Sequence, residues 1–170
     1  MTPHFPCPRC GATGRQVPSF TVRSLVKPTV AREALERPHR FCATATCPVV
    51  YYRNDGELIG KDQITVRVGI KEPAPRLVCY CFGHTVEDIH DQILHTGETD
   101  VLDAITTKVK AGLCACEAMN PEGVCCLGRV RAAVKEGLAC HTVKSAGAMD
   151  EPEEHDCCSP QQGIEEVSAT

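Results

Sequence analysis

The apolar positions of this chain follow two periods, and the change between them falls near residue 71. Before it, Val49 to Arg53 is a β-branched and aromatic run, Asn54-Asp55-Gly56 is a turn signal, and Gln63 to Ile70 alternates apolar Ile64, Val66 and Val68 with polar Thr65 and Arg67. This pattern predicts a hairpin or meander. Lys71-Glu72-Pro73-Ala74-Pro75-Arg76 carries two prolines, which cannot donate ladder hydrogen bonds, and reads as a linker. Beyond it the apolar spacing becomes three and four. Thr85 with Asp88 resembles a capping box, and Val86, Ile89, Ile93 and Leu94 form a stripe that stops at Gly97. A second helix is expected from Thr99 or Asp100 through Leu102, Ile105 and Val109 to Gly112. A third is expected to carry Val130, Val134 and Leu138 on one face and to close around Gly137. After Ala146 the chain is acidic, polar and aperiodic, so disorder is expected there. The predicted class is α+β: a small β-rich domain over residues 1–72, a domain of short helices over 77–140, and a tail over 146–170.

Composition sharpens this picture. Aromatics make up 4% of the 170 residues and Trp is absent, whereas Cys occurs 13 times. Three short helices bury little apolar area, so a staple is needed, and cysteine is the available one. No stretch approaches the roughly 18 to 20 apolar residues of a membrane span, and the first residues lack the pattern of a signal peptide. A cytoplasmic location with no membrane insertion is therefore expected. In a reducing compartment an odd number of thiols reads as metal ligands rather than as a disulfide frame. Residues 1–76 carry 12 basic against 6 acidic side chains, 77–145 carry 6 against 9, and 146–170 carry none against 7. The basic charges are scattered singly, so nucleic acid is not expected as a partner.

The cysteines fall into groups. Cys7-Pro8-Arg9-Cys10-Gly11 is a C-x₂-C turn that can present two thiolates to one ion, and Cys42-Ala43-Thr44-Ala45-Thr46-Cys47 leads a second pair into a strand. Together they read as a Cys₄ zinc site of ribbon type. A redox C-x₂-C would normally follow a strand and open a helix, whereas Pro6 and Pro8 flank this turn. His4 and His39 are alternative ligands or, more simply, surface histidines. The second group is Cys79-Tyr80-Cys81, Cys114-Ala115-Cys116 and Cys125-Cys126. Six thiols exceed what one tetrahedral ion needs. C-x-C spacing suits two ligands on one iron, and helix N-termini offer amides to an anionic cluster, so four of the six could hold 2Fe-2S; a second zinc site with two spare thiols is the alternative.

Leu77-Val78-Cys79-Tyr80-Cys81 and the run Cys116-Glu117-Ala118-Met119-Asn120-Pro121-Glu122-Gly123-Val124-Cys125-Cys126 resemble the N-terminal domain of CopZ-type copper chaperones, related to bacterioferritin-associated ferredoxin-like modules. The resemblance extends over roughly residues 5–137. It implies a zinc ion on Cys7, Cys10, Cys42 and Cys47 and a 2Fe-2S cluster on Cys79, Cys81, Cys116 and Cys126, with Cys114 and Cys125 as extras. It further implies redox or metallochaperone work in copper or other thiophilic-metal handling, with an electron donor and a metal ion, separate transfer domain or transporter as partners. In that family a heavy-metal-associated domain follows, and no counterpart of it is expected from these 170 residues. In its place come Cys140-His141 and His155-Asp156-Cys157-Cys158, whose vicinal thiols could capture a soft ion such as Cu(I). The rival reading is a non-redox scaffold or metal-sequestering protein. Nothing resembles a hydrolase or transferase site.

Overall fold

The computed structural model describes residues 5–30 and 35–146. The class is α+β, with a four-stranded antiparallel sheet in the first half and helices dominating the second. The sheet runs in the order β1 (Arg15–Val17), β2 (His39–Phe41), β3 (Val49–Tyr52) and β4 (Leu58–Gly60). β3 is buried along its whole length because every one of its residues packs on something. Tyr51 and Phe41 join Val17, Val22, Leu25, Val50 and Ile59 in the main core. Tyr52 turns instead to the cysteine turns, with Cys7, Cys42, Cys47 and Val49. The β3–β4 hairpin closes at Asn54-Asp55-Gly56, where Gly56 takes φ 90°.

The expected strand over Gln63 to Ile70 does not form. Short 3₁₀ turns occupy Lys61–Gln63 and Gly69–Lys71, and only Ile64 bridges, to Val26. The alternation that suggested a strand is nonetheless physical, since Ile64 and Val68 are buried while Thr65 and Arg67 are exposed. The segment's partner is the end of a helix, α1 (Ser19–Leu25), rather than a strand: Thr65 N–H donates to Leu25 O at 2.7 Å, and Lys27 N–H donates to Gln63 O at 2.8 Å.

The second half begins with a two-stranded sheet, β5 (Leu77–Cys79) and β6 (His84–Thr85). α2 (Val86–Thr96) follows, opened by the expected capping box: Asp88 N–H donates to Thr85 Oγ1 at 3.0 Å, and Thr85 N–H donates to Asp88 Oδ2 at 3.1 Å. Gly97 ends it at φ 80°. α3 (Val101–Lys110), a single turn α4 (Cys116–Met119) and α5 (Leu127–Ala146) complete the chain. α5 is 20 residues long and passes through Gly137 without stopping, contrary to the expected short helix. Gly137 is a packing residue. A Cβ there would lie 2.8 Å from Ile93 Cδ1 and 2.9 Å from His90 Cδ2, so its absence lets α2 and α5 approach closely. Val130 and Ala133 are buried on this face, while Leu138 and Leu94, expected inside, are exposed.

A loop in the second half fastens it to the first. Asn120, 2% exposed, donates from Nδ2 to Val124 O at 2.7 Å and accepts from Glu122 N–H at 3.1 Å. The resulting turn presents Pro121 O to the buried Tyr51 hydroxyl at 2.8 Å. It also lays Gly123, at φ 65°, against Pro18, where a Cβ would come within 2.7 Å of Pro18 Cδ. Gly123→Ala is expected to cost about 1–2 kcal/mol for the left-handed backbone and about 1–3 kcal/mol more for overpacking. Urea melts that leave the midpoint unchanged would contradict this.

Candidate metal centres

Two turns build the first centre. Cys7 N–H bonds to Ala12 O at 2.8 Å and Gly11 N–H to Cys7 O at 2.8 Å, a tight loop that needs Gly11 at φ 73°. The second turn joins β2 to β3: Cys47 N–H bonds to Thr44 O at 3.2 Å and Cys42 N–H to Val50 O at 2.9 Å. Tyr52 holds the first turn against the sheet. Its hydroxyl donates to Phe5 O at 3.0 Å and accepts Gly14 N–H at 2.7 Å. The outcome is that the sulfurs of Cys7, Cys10, Cys42 and Cys47 all lie within 4.8 Å of one another.

Four soft donors at that spacing surround one tetrahedral divalent ion such as zinc with little adjustment. The protein environment fits as well. Burial pushes the Cys7 thiol up to about 12, even against the Arg9 and Cys10 amides that point at its sulfur. Cys47 is likewise raised by burial. Buried thiolates of this kind are costly unless a cation accompanies them. Cys10, at the solvent edge, is lowered to about 6, first by the Thr44 hydroxyl 3.4 Å away and then by the Ala12 amide.

His39 is neither a ligand nor a surface residue. It is fully buried, with Nδ1 2.8 Å from Arg37 O and its ring edge-on to Tyr51; Nε2 is buried without a partner. Because the carbonyl can only accept, Nδ1 carries the proton. Burial holds His39 below its usual value, so the unfolded chain takes up the proton first as pH falls. Stability is therefore full above about pH 6.5 and declines as pH drops from there towards the lower folded value. Urea melts from neutral to mildly acidic pH should show this decline, and His39→Gln should flatten it.

The second centre gathers at the start of the helical half. Cys79 ends β5, Cys81 lies in the turn to β6, Cys116 opens α4 and Cys126 immediately precedes α5. Cys126 Sγ donates to Cys79 Sγ at 3.1 Å, and Cys81 Sγ lies 3.7 Å from Cys116 Sγ. Ala115 N–H donates to Cys81 Sγ at 3.3 Å. The neighbours within Cys79-Tyr80-Cys81 are thus not paired with each other; each pairs with a cysteine from the later segment. Cys79 is lowered to about 6, first by the Cys126 hydrogen bond and then by the Phe82 and Cys81 amides and the Lys108 charge, while Cys126 is raised by the same contact. Among the described residues these four do not gather into one set as tight as the first. Cys114 is half-buried and Cys125 exposed. Cys157 and Cys158, like His4, lie outside the described residues.

Residues 5–65 match the family described as "Zinc binding domain" (zf_CopZ). This stretch is similar to CopZ-type zinc-binding domains. The fold is similar to the X-ray structure of the Archaeoglobus fulgidus CopZ N-terminal domain, at 29% identity and a TM-score of 0.64. That similarity covers 75% of this chain and 96% of the other. Comparison with curated proteins gave no significant match. The matched stretch carries both cysteine turns, so the similarity and the convergence of the four sulfurs both support metal binding in this half. Among the described residues no helix is long and apolar enough to cross a membrane.

Sequence reasoning assigned no individual role to Tyr52, Asn120 or Lys71. Tyr52 anchors the first turn, and Asn120 shapes the loop between Cys116 and Cys126. Lys71 was placed in the linker, yet it is 7% exposed and lies beneath the first centre. A lysine after an apolar residue gives no signal of such a position.

Proposed function

We propose that the chain is a zinc- and 2Fe-2S-containing protein of thiophilic-metal handling, which passes single electrons to a metal ion such as copper or to a protein partner. The observation that carries this reading is the arrangement of Cys79, Cys81, Cys116 and Cys126 as two close thiol pairs. A donor set divided in two suits a centre of two metal ions better than it suits one tetrahedral ion. The likeness to the CopZ N-terminal domain over three quarters of the chain adds support. On this reading the four cysteines hold the cluster, which supplies one-electron chemistry when bound.

The chain's own residues tune that site. Ala115 N–H donates to the Cys81 sulfur, and the Lys108 charge favours a thiolate at Cys79. Burial of Cys79, Cys116 and Cys126 keeps water from most of the donor set, while half-buried Cys81 and Cys114 and exposed Cys125 mark the side open to solvent. A Cys₄ zinc site leaves no position for substrate, so zinc has a folding role here.

Chain purified without oxygen, reduced and desalted, should convert Cu(II) to Cu(I) with loss of one electron per centre, read with a Cu(I)-specific chelator. The same chain with its centre left oxidised, which carries the same thiols, serves as the control for reduction by free thiols. Equal Cu(I) yield from the reduced and oxidised forms would favour a non-redox metal-binding scaffold.

A further inference from the structure

We propose that Lys71 is the built-in counter-cation of the Cys7, Cys10, Cys42 and Cys47 site, and that it favours an ion held by four thiolates over less negative ligand sets. The inference rests on the Cys₄ reading of that site. Lys71 is 7% exposed, and its Nζ donates to Thr44 O at 2.7 Å and to Cys47 O at 3.0 Å. Both carbonyls belong to the turn that carries Cys42 and Cys47. They satisfy the ammonium's hydrogen bonds without neutralising its charge.

A buried ammonium costs several kcal/mol unless an opposite charge accompanies it. The nearby acid Glu72 is paired with Lys61. Burial disfavours the charged form of Lys71, and the sulfurs of Cys42, Cys47, Cys10 and Cys7, when they are thiolates, are the groups that oppose it. A divalent ion on four thiolates carries two net negative charges, which one lysine halves.

The lysine is also fixed in place. It ends the Gly69–Lys71 turn, with its own N–H on Val68 O at 2.7 Å and its carbonyl accepting from Lys61 Nζ at 2.9 Å. At the other end of the turn, Gly69 N–H donates to the Tyr80 hydroxyl at 2.8 Å. A charge held this firmly beside the ligand carbonyls acts as an outer partner of the metal site, a class of residue whose loss typically lowers metal affinity about 10- to 100-fold.

The test is Zn²⁺ affinity of the full chain, measured by competition with a metallochromic chelator. Lys71→Met and Lys71→Gln should each weaken zinc about 10- to 100-fold, and Lys71→Arg should recover most of the loss. Gln keeps an N–H donor for the carbonyls without the charge, so it separates charge from hydrogen bonding even if Met unfolds the turn. In a Cys10→His background, where the site carries one negative charge fewer, the Lys71→Gln penalty should shrink markedly. An equal penalty in both backgrounds, or wild-type affinity in Lys71→Gln, overturns the proposal. Failure of the unmodified chain to bind zinc would instead overturn the Cys₄ reading beneath it.

Discussion

Stripping zinc from the full chain, or replacing Cys47 with Ser, is expected to abolish the cooperative melt of the sheet-containing half. Three of the five buried residues in the cluster beneath the cysteine turns are cysteines, the others being Val49 and Tyr52. Without an ion that cluster has little apolar area to hold Phe5 to Gly14 against the sheet. The apparent binding free energy of structural zinc is about 10–16 kcal/mol at neutral pH, as large as the whole stability of an ordinary domain, about 5–15 kcal/mol. Tyr52 makes the link direct: it sits at the end of β3 and bonds both Phe5 and Gly14, so loosening the turn uncovers the strand. Circular dichroism melts with and without a strong chelator measure this. An unchanged transition after complete zinc removal would show that the core around Tyr51 and Phe41 suffices alone.

Cys126→Ser is expected to remove iron, sulfide and visible absorption together, while Cys114→Ser leaves them largely intact. Cys126 is 1% exposed and donates to Cys79, so its loss breaks one of the two pairs at its most buried point. Cys114 lies beside Cys116 but outside both pairs, half in solvent. Visible spectra and sulfide content of the two variants decide the matter. A colourless Cys114→Ser protein beside a coloured Cys116→Ser protein would reverse the ligand assignment.

Much of this arrangement was legible from residue spacing because the devices are local. The turn at Asn54-Asp55-Gly56, the capping pair Thr85 and Asp88, and the glycine stop at Gly97 each act within a few residues of themselves. The two cysteine turns that converge in the structure were legible for the same reason. Spacing misled where the partner was distant. Ile64 and Val68 alternate with polar residues as in a strand, but they face the end of α1 and the core beside it. Gly137 resembled a helix stop, while its actual neighbours are Ile93 and His90 on α2. β1 and β2, at three residues each, are too short to show a period. α1 was missed because Thr21 and Val22, both β-branched, weaken its helical signature, although both are buried.

The pairing in the second centre was legible only in part. The six thiols were apparent from C-x-C and C-C spacing, but not that Cys79 and Cys81 lie closest to Cys126 and Cys116 respectively. The backbone explains this. Cys79 lies on β5, paired opposite His84, and Cys81 lies in the turn that follows, so the later segment can meet each sulfur separately. Asn120 and Gly123 then hold that segment at the depth where Cys116 and Cys126 face them.

The most direct test is the metal and sulfide content of the full chain purified without oxygen. About two irons, two sulfides and one zinc per chain, with an EPR signal on reduction, is the expected result for one 2Fe-2S centre beside one Cys₄ zinc site. Stoichiometric zinc with neither iron nor sulfide would contradict the redox function, leaving a zinc-binding protein whose second set of thiols serves another ion.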